Sequence, residues 1–172
     1  MKDIPAPCEE VISRLLRHCL SDWAGLPQDC PEATLLNALP LSQGIGLARL
    51  GVDVIEYRFR AIAAPDFTEP VRLYFLSGML RLVRTGLWSA DPNVSASLLN
   101  DFGTPEARLD LTLDVTIQPG SALLYPSRGL MLGVVPATGL IATVEAFQPC
   151  TMNHYRRQLY NAEPPREFPL RR

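Results

Sequence analysis

Nucleophiles, bases and metal ligands are sparse in this chain of 172 residues, which holds four cysteines and two histidines. Cys150 and His154 stand near one another, in Cys150-Thr151-Met152-Asn153-His154. A thiol beside an imidazole is the arrangement that activates a cysteine nucleophile. Such pairs are usually assembled from distant segments, because the base must meet the sulfur along a hydrogen-bond direction. Neighbours in sequence rarely supply that geometry, so no catalytic role is assigned to them. Cys8, Cys19 and Cys30 recur at steps of eleven, whereas zinc sites draw on close pairs such as CxxC. His18 beside Cys19 is the one near neighbour, so no metal site is expected. Asp110, Asp114 and Glu145 are candidates for paired carboxylates, but the first two already fit the wet face of a strand. The chain has no GxSxG elbow, no GxxxxGK[ST] phosphate loop and no HExxH helix. Gly44-Ile45-Gly46 precedes a strand, whereas a dinucleotide fingerprint follows one and opens a helix. The expectation is a protein that is not an enzyme and takes no cofactor.

The elements that would position any site are clearer. Hydrophobic residues make up 47% and charged residues 20%, which is globular rather than disordered composition. The net charge of −2 gives no push toward nucleic acid or an anionic membrane. The stretch His154–Arg172 carries five arginines against two glutamates and reads as a solvated tail. No secretory leader is visible at Met1-Lys2-Asp3-Ile4-Pro5 and no window spans a bilayer, so the expectation is a cytoplasmic protein. In that reducing compartment the four cysteines are expected to be buried thiols.

Val11, Ile12, Leu15, Leu16, Cys19, Leu20 and Trp23 recur at helical spacing, with Pro7 in the first turn and Gly25 closing the helix. His18 falls off that stripe and reads as a surface helix residue. Asp29-Cys30-Pro31-Glu32 opens a second, short helix that Pro40 ends. From Val52 to Ile62 the period changes to two: Ile55, Tyr57, Phe59 and Ala61 share one face, Glu56, Arg58 and Arg60 the other. Val71–Leu76 and Met79–Trp88 are strands joined by a tight Ser77-Gly78 hairpin. Ser95 is the expected cap of a helix through Leu98 and Leu99, which Gly103 ends. Leu109 to Ile117 alternates apolar with polar residues, Pro119-Gly120 turns the chain, and Ala122–Tyr125, Leu130–Val135 and Leu140–Phe147 follow as strands. Asn153–Tyr160 reads as a last helix.

The order helix, turn, strands thus occurs twice. Thr34-Leu35-Leu36-Asn37 aligns with Ser97-Leu98-Leu99-Asn100, Gly78-Met79-Leu80 with Gly139-Leu140-Ile141, and Asp53 with Asp114, at offsets near sixty residues, as a duplicated unit requires. The expected fold is α+β: two helix-plus-antiparallel-sheet units packed in tandem after an N-terminal helix. The corresponding boundaries are 1–30, 31–90, 91–150 and a short helix with basic tail at 151–172. In the second unit, Leu98-Leu99-Asn100-Asp101-Phe102-Gly103-Thr104-Pro105 forms an L-x-x-x-F-G-x-P corner. It leads to Tyr125-Pro126-Ser127-Arg128-Gly129-Leu130 and then to Gly139-Leu140-Ile141-Ala142-Thr143-Val144-Glu145-Ala146-Phe147. This set resembles the helix-plus-sheet module of the β-lactamase inhibitory protein and the BamE (SmpA/OmlA) lipoproteins, over residues 96–148 in motif and 34–88 in shape. The resemblance implies a non-catalytic role in which a sheet surface is presented to another protein. The expected departure from that group is that no signal peptide, and no lipid-attachment cysteine near one, is read in this sequence.

The expected function is therefore a protein-binding module, of inhibitor, immunity or accessory type, whose partner is another soluble protein. The polar side of the first sheet is the expected contact surface: Glu56, Arg58 and Arg60, with Arg72 and Tyr74 or their neighbours beside them, since arginine and aromatic residues are enriched at binding hot spots. Arg81 and Arg84 have opposite parity and both join that face only if a bulge intervenes. The alternatives are a small-molecule-binding or enzymatic protein with a pocket between helix and sheet, and a structural subunit of a larger assembly.

Overall fold

The first helix, α1 (Ala6–Leu16), buries Cys8, Val11 and Leu15, a spacing that places all three on one side of a 3.6-residue helix. The apolar stripe does not continue as one helix. α1 stops at Leu16, and Leu20–Trp23 form a separate 3-10 turn that redirects Leu20 and Trp23 into the core. Cys19, expected on the buried stripe, is exposed, and so is Leu16. α2 spans Glu32–Ala38. The thiols expected at Cys8 and Cys30 are instead a disulfide that ties α1 to the segment entering α2, two residues before its first turn. The two sulfurs meet because α1 and the α2 entry lie against the same part of the sheet, with neither cysteine exposed.

This computed structural model describes residues 6–17, 19–26, 29–39, 46–49, 54–59, 70–86, 92–113 and 118–159. His18, Asp53, Arg60, Asp114 and the basic tail beyond 159 lie outside them. Eight strands follow α2 in one antiparallel sheet: β1 (Gly46–Arg49), β2 (Val54–Phe59), β3 (Val71–Leu76), β4 (Met79–Gly86), β5 (Ala107–Leu113), β6 (Gln118–Tyr125), β7 (Leu130–Val134) and β8 (Ile141–Ala146), in the order β1-β2-β3-β4-β8-β7-β6-β5. Two four-stranded meanders therefore meet at β4 and β8. The α+β class is as expected, and the helix α3 (Pro92–Phe102) precedes the second meander as α2 precedes the first.

Alternation sorts the side chains. Phe59, Val71, Leu73, Phe75, Val83, Leu123, Leu132 and Val144 face α1, α2 and α3, and with them form the main core around Trp23. On the opposite face Tyr74, Leu82, Ala122, Leu124, Met131 and Phe147 form a second cluster. That cluster is covered by a last helix, α4 (Met152–His154), which continues as a π turn through Leu159 and buries Tyr155. The β3–β4 hairpin turns at Ser77 and Gly78 with φ of 51° and 74°, the two left-handed residues that suit the twist of a tight hairpin. Its tip is fastened to the helical layer, as Glu32 N–H donates to the Gly78 carbonyl at 2.9 Å and Leu80 N–H to the Cys30 carbonyl at 3.0 Å.

Two local expectations are corrected. Ser95 does not cap α3, which begins three residues earlier at Pro92. It is buried inside the helix, and its Oγ accepts the Ile141 N–H at 3.0 Å, joining α3 to β8. Pro119-Gly120 is not a turn but part of β6, paired with Thr112 and Leu111 of β5. Proline is tolerated there because β6 pairs with β7 only from Ser121 onward, which leaves residue 119 on a stretch of the strand with a neighbour on one side only.

Candidate functional site

Of the residues expected to make contacts, Glu56, Arg58, Arg72 and Tyr74 share a face, on the side opposite the helices, and Arg60 lies outside the described residues. Cross-strand register sets Arg58 against Arg72, Arg72 against Arg84 and Arg84 against Glu145. A second row places Glu56 against Tyr74 and Tyr74 against Leu82. Arg84 reaches this face because the β3–β4 register shifts between Tyr74 and Phe75, the bulge that its parity required. The trace of that bulge in the sequence is Leu82-Val83, adjacent apolar residues that both become buried.

The face is less open than strand alternation predicts. Glu56 is only 3% exposed and Tyr74 7%, while Arg72 is half-buried and Arg58 is the most accessible of the four, with 46% of its side chain exposed. Tyr74 is enclosed because it belongs to the cluster with Leu82, Met131, Phe147 and Tyr155. Burial holds its phenol above the ordinary pKa, against the opposing pull of Arg84. Glu56 accepts a hydrogen bond from Arg58 Nε. Arg84 Nη1 lies 3.5 Å from Glu145 Oε1, Arg84 Nε donates to Thr143 Oγ1 at 3.3 Å, and the Thr143 hydroxyl donates to the Thr85 carbonyl at 3.1 Å. Like charges directly opposite one another across strands are destabilising by about 0.2–1 kcal/mol. Here Glu56 and Glu145 flank the three arginines and offset that repulsion. Glu145, weighed above as an acid–base candidate, is instead the ion-pair partner of Arg84.

The sulfur–imidazole pairing is not assembled. His154 is exposed and sits in the first turn of α4, where its N–H bonds to Thr151 Oγ1 at 3.2 Å. Burial, and secondarily the charge of Glu106, push the Cys150 thiol up, the wrong direction for a nucleophile at neutral pH. Among the described residues no group of three His, Cys, Asp or Glu is placed to hold a metal ion, and no helix is long and apolar enough to cross a membrane.

The corner that carries the family resemblance works as a clasp. Gly103 takes φ 66° and ends α3, its N–H donating to the Leu99 carbonyl at 2.9 Å. Tyr125 Oη donates to the Gly103 carbonyl at 2.9 Å, and Arg128 Nη1 donates to the Phe102 carbonyl at 3.0 Å while its guanidinium lies 4.7 Å from the Phe102 ring centre. Glu106 accepts from the backbone and the hydroxyl of Ser127 at 2.9 and 2.5 Å. These motif residues bind α3 to the end of β6 and none of them points to chemistry. Comparison of the chain with protein-family models, curated proteins and solved structures finds no match.

Proposed function

We propose that the chain is a non-catalytic protein-binding module of tandem helix-plus-sheet units that grips a folded partner with the face of β2, β3 and β4. The observation that carries this reading is the cross-strand row Arg58–Arg72–Arg84, with Glu56 and Tyr74 alongside. It is a strip of the residue types that dominate binding hot spots, buried at Glu56, Tyr74 and Arg84, half-buried at Arg72, and with Arg58 at its accessible end. Buried neighbours hold the strip rigid, so little side-chain entropy is lost when a partner docks. The repeated order of helix and four-stranded meander supports a tandem origin, as do Gly78 and Gly139, both left-handed and both in the last hairpin of their meander. The Cys8–Cys30 disulfide favours a partner met in an oxidising compartment over a cytoplasmic one.

The test is affinity capture with the intact chain and with Arg58→Glu, scored by mass spectrometry of retained proteins. The expected result is one protein retained in stoichiometric amount by the parent and lost with the charge-reversed variant, while Arg156→Glu, on the last helix, retains it. Equal retention by a folded Arg58→Glu variant refutes the assignment of this face.

A further inference from the structure

A cleft on the other side of the sheet has no part in that reading. It opens where the C-terminal end of α3 overhangs β5, β6 and β7, and its volume is about 380 Å³, within the range of small-molecule sites. The floor is Leu123, Tyr125 and Val134, all buried, and Leu99 and Pro105 form one wall. Two polar groups enter it from neighbouring strands. Arg108 of β5 is directly opposite Leu123, and Ser121 of β6 is two residues before it. They reach the cleft because β5 turns its polar edge toward the helical side: Leu109 packs with the second cluster on the opposite face, so Arg108 and Asp110 face the helices.

Arg108 is exposed, and among the described residues it takes part in no ion pair or hydrogen bond, including with Asp110 on its own strand. The C-terminal end of a helix normally repels an anion. Here the last carbonyls of α3 are already occupied, Phe102 by Arg128 and Gly103 by Tyr125. The cleft thus joins an apolar floor to the single guanidinium of Arg108, with Asp110 farther along the same edge of β5, and its Arg108 side is the complement of a molecule with an apolar body and one negative end.

We propose that this cleft binds a small organic carboxylate with a compact apolar body, such as an aryl or branched-alkyl acid. The carboxylate is held by the Arg108 guanidinium, which offers two parallel donors, and by the Ser121 hydroxyl, while the body rests on Leu123 and Val134.

The probe is 3-phenylpropionate, titrated into the oxidised full chain and followed by amide chemical shifts and by calorimetry, with 3-phenylpropionamide as its neutral counterpart. The expected result is saturable shifts at Ser121, Leu123 and Gly139, and binding of the acid about tenfold or more tighter than of the amide, the size of a charge-assisted contact. Arg108→Met is expected to remove that preference, and Arg58→Glu, on the opposite face, to leave it intact. Equal binding of acid and amide to the unmodified chain overturns the proposal, as does an Arg108→Met variant with the parent's affinity. Shifts confined to residues outside the cleft, or none at millimolar probe, overturn it as well. The protein partner of the β2–β4 face plays no part in any of these measurements, so either proposal can fail while the other stands.

Discussion

Replacing Gly129 by alanine tests how the helical layer is seated on the sheet. Gly129 follows the 3-10 turn Pro126–Arg128 with φ 68°, a left-handed conformation that costs an L-residue with a side chain about 1–2 kcal/mol. A methyl group there meets the Phe147 carbonyl oxygen at 2.0 Å and the Cα of Gly25 at 2.9 Å. Both obstacles are backbone and cannot rotate away. The surrounding hydrogen bonds would strain with them, since Phe147 N–H donates to the Gly129 carbonyl at 2.9 Å. Overpacking of this kind adds about 1–3 kcal/mol, giving a total loss of about 2–5 kcal/mol. Gly78 supplies the control: its φ is 74°, yet nothing lies within 4 Å of a Cβ built on it, so Gly78→Ala should lose only the conformational part. In urea unfolding, with a slope of about 2 kcal/mol per molar, Gly129→Ala should lower the midpoint by about 1–2.5 M and Gly78→Ala by less than about 1 M. If the two variants unfold at the same midpoint, the close approach of Gly25, Gly129 and Phe147 is not what seats the helices.

Three further outcomes follow from the same packing. The oxidised, denatured chain should show two reactive thiols, Cys19 and Cys150, and reduction of the Cys8–Cys30 bridge, which spans 22 residues, should lower unfolding free energy by about 3 kcal/mol; four thiols in the oxidised chain would exclude the bridge. Tyr57 donates its hydroxyl to Glu32, which raises the phenol from 10.0 to about 12. The neutral phenol is the favoured folded form, so its stabilising effect is whole below pH 10 and is lost as pH rises through 12. Ultraviolet titration of the parent against Tyr57→Phe should locate this late phenol, and Glu32→Gln should bring it down; an ordinary titration in the parent contradicts the contact. Arg84→Met removes a cation from beside the buried Glu145 and should cost about 3–5 kcal/mol, whereas Arg84→Met with Glu145→Leu should recover most of it; equal losses in thermal or urea unfolding would show that the pair is not coupled.

The sequence resolved strands better than it resolved what covers them. Alternation located β2, β3, β4 and their faces, because a half-buried strand repeats every two residues whatever its distant partners are. It also placed Glu56 and Arg58 on one side, and left open whether Arg72 and Tyr74 or their neighbours joined them. It could not show that Tyr74 would be buried, since the second cluster depends on α4 returning over the sheet from a segment some eighty residues away. The disulfide was missed for a related reason: pairing depends on where α1 and the α2 entry come to rest, and the spacing of cysteines carries no such information. Pro119-Gly120 was misread because a local turn signal was weighed without knowing that β7 leaves that stretch of β6 unpaired.

The same alternation that makes β5 look ordinary decides the character of the two faces. In most half-buried strands the apolar side joins the larger core, but Leu109 of β5 turns toward the smaller cluster under α4, and Arg108 and Asp110 turn toward the helices. α3 covers that side only as far as Phe102 and Gly103, where the Tyr125 and Arg128 clasp halts it. The polar edge of an outer strand and the end of a helix therefore leave between them a cleft with Leu123 and Val134 at its base. On the far side the β4–β8 junction needs charges to match, and Arg84, Glu145 and Thr143 supply them. Joining two meanders edge to edge thus creates both features: a charged strip at the centre of one face and, near the outer edge of the other, a pocket roofed by a single helix.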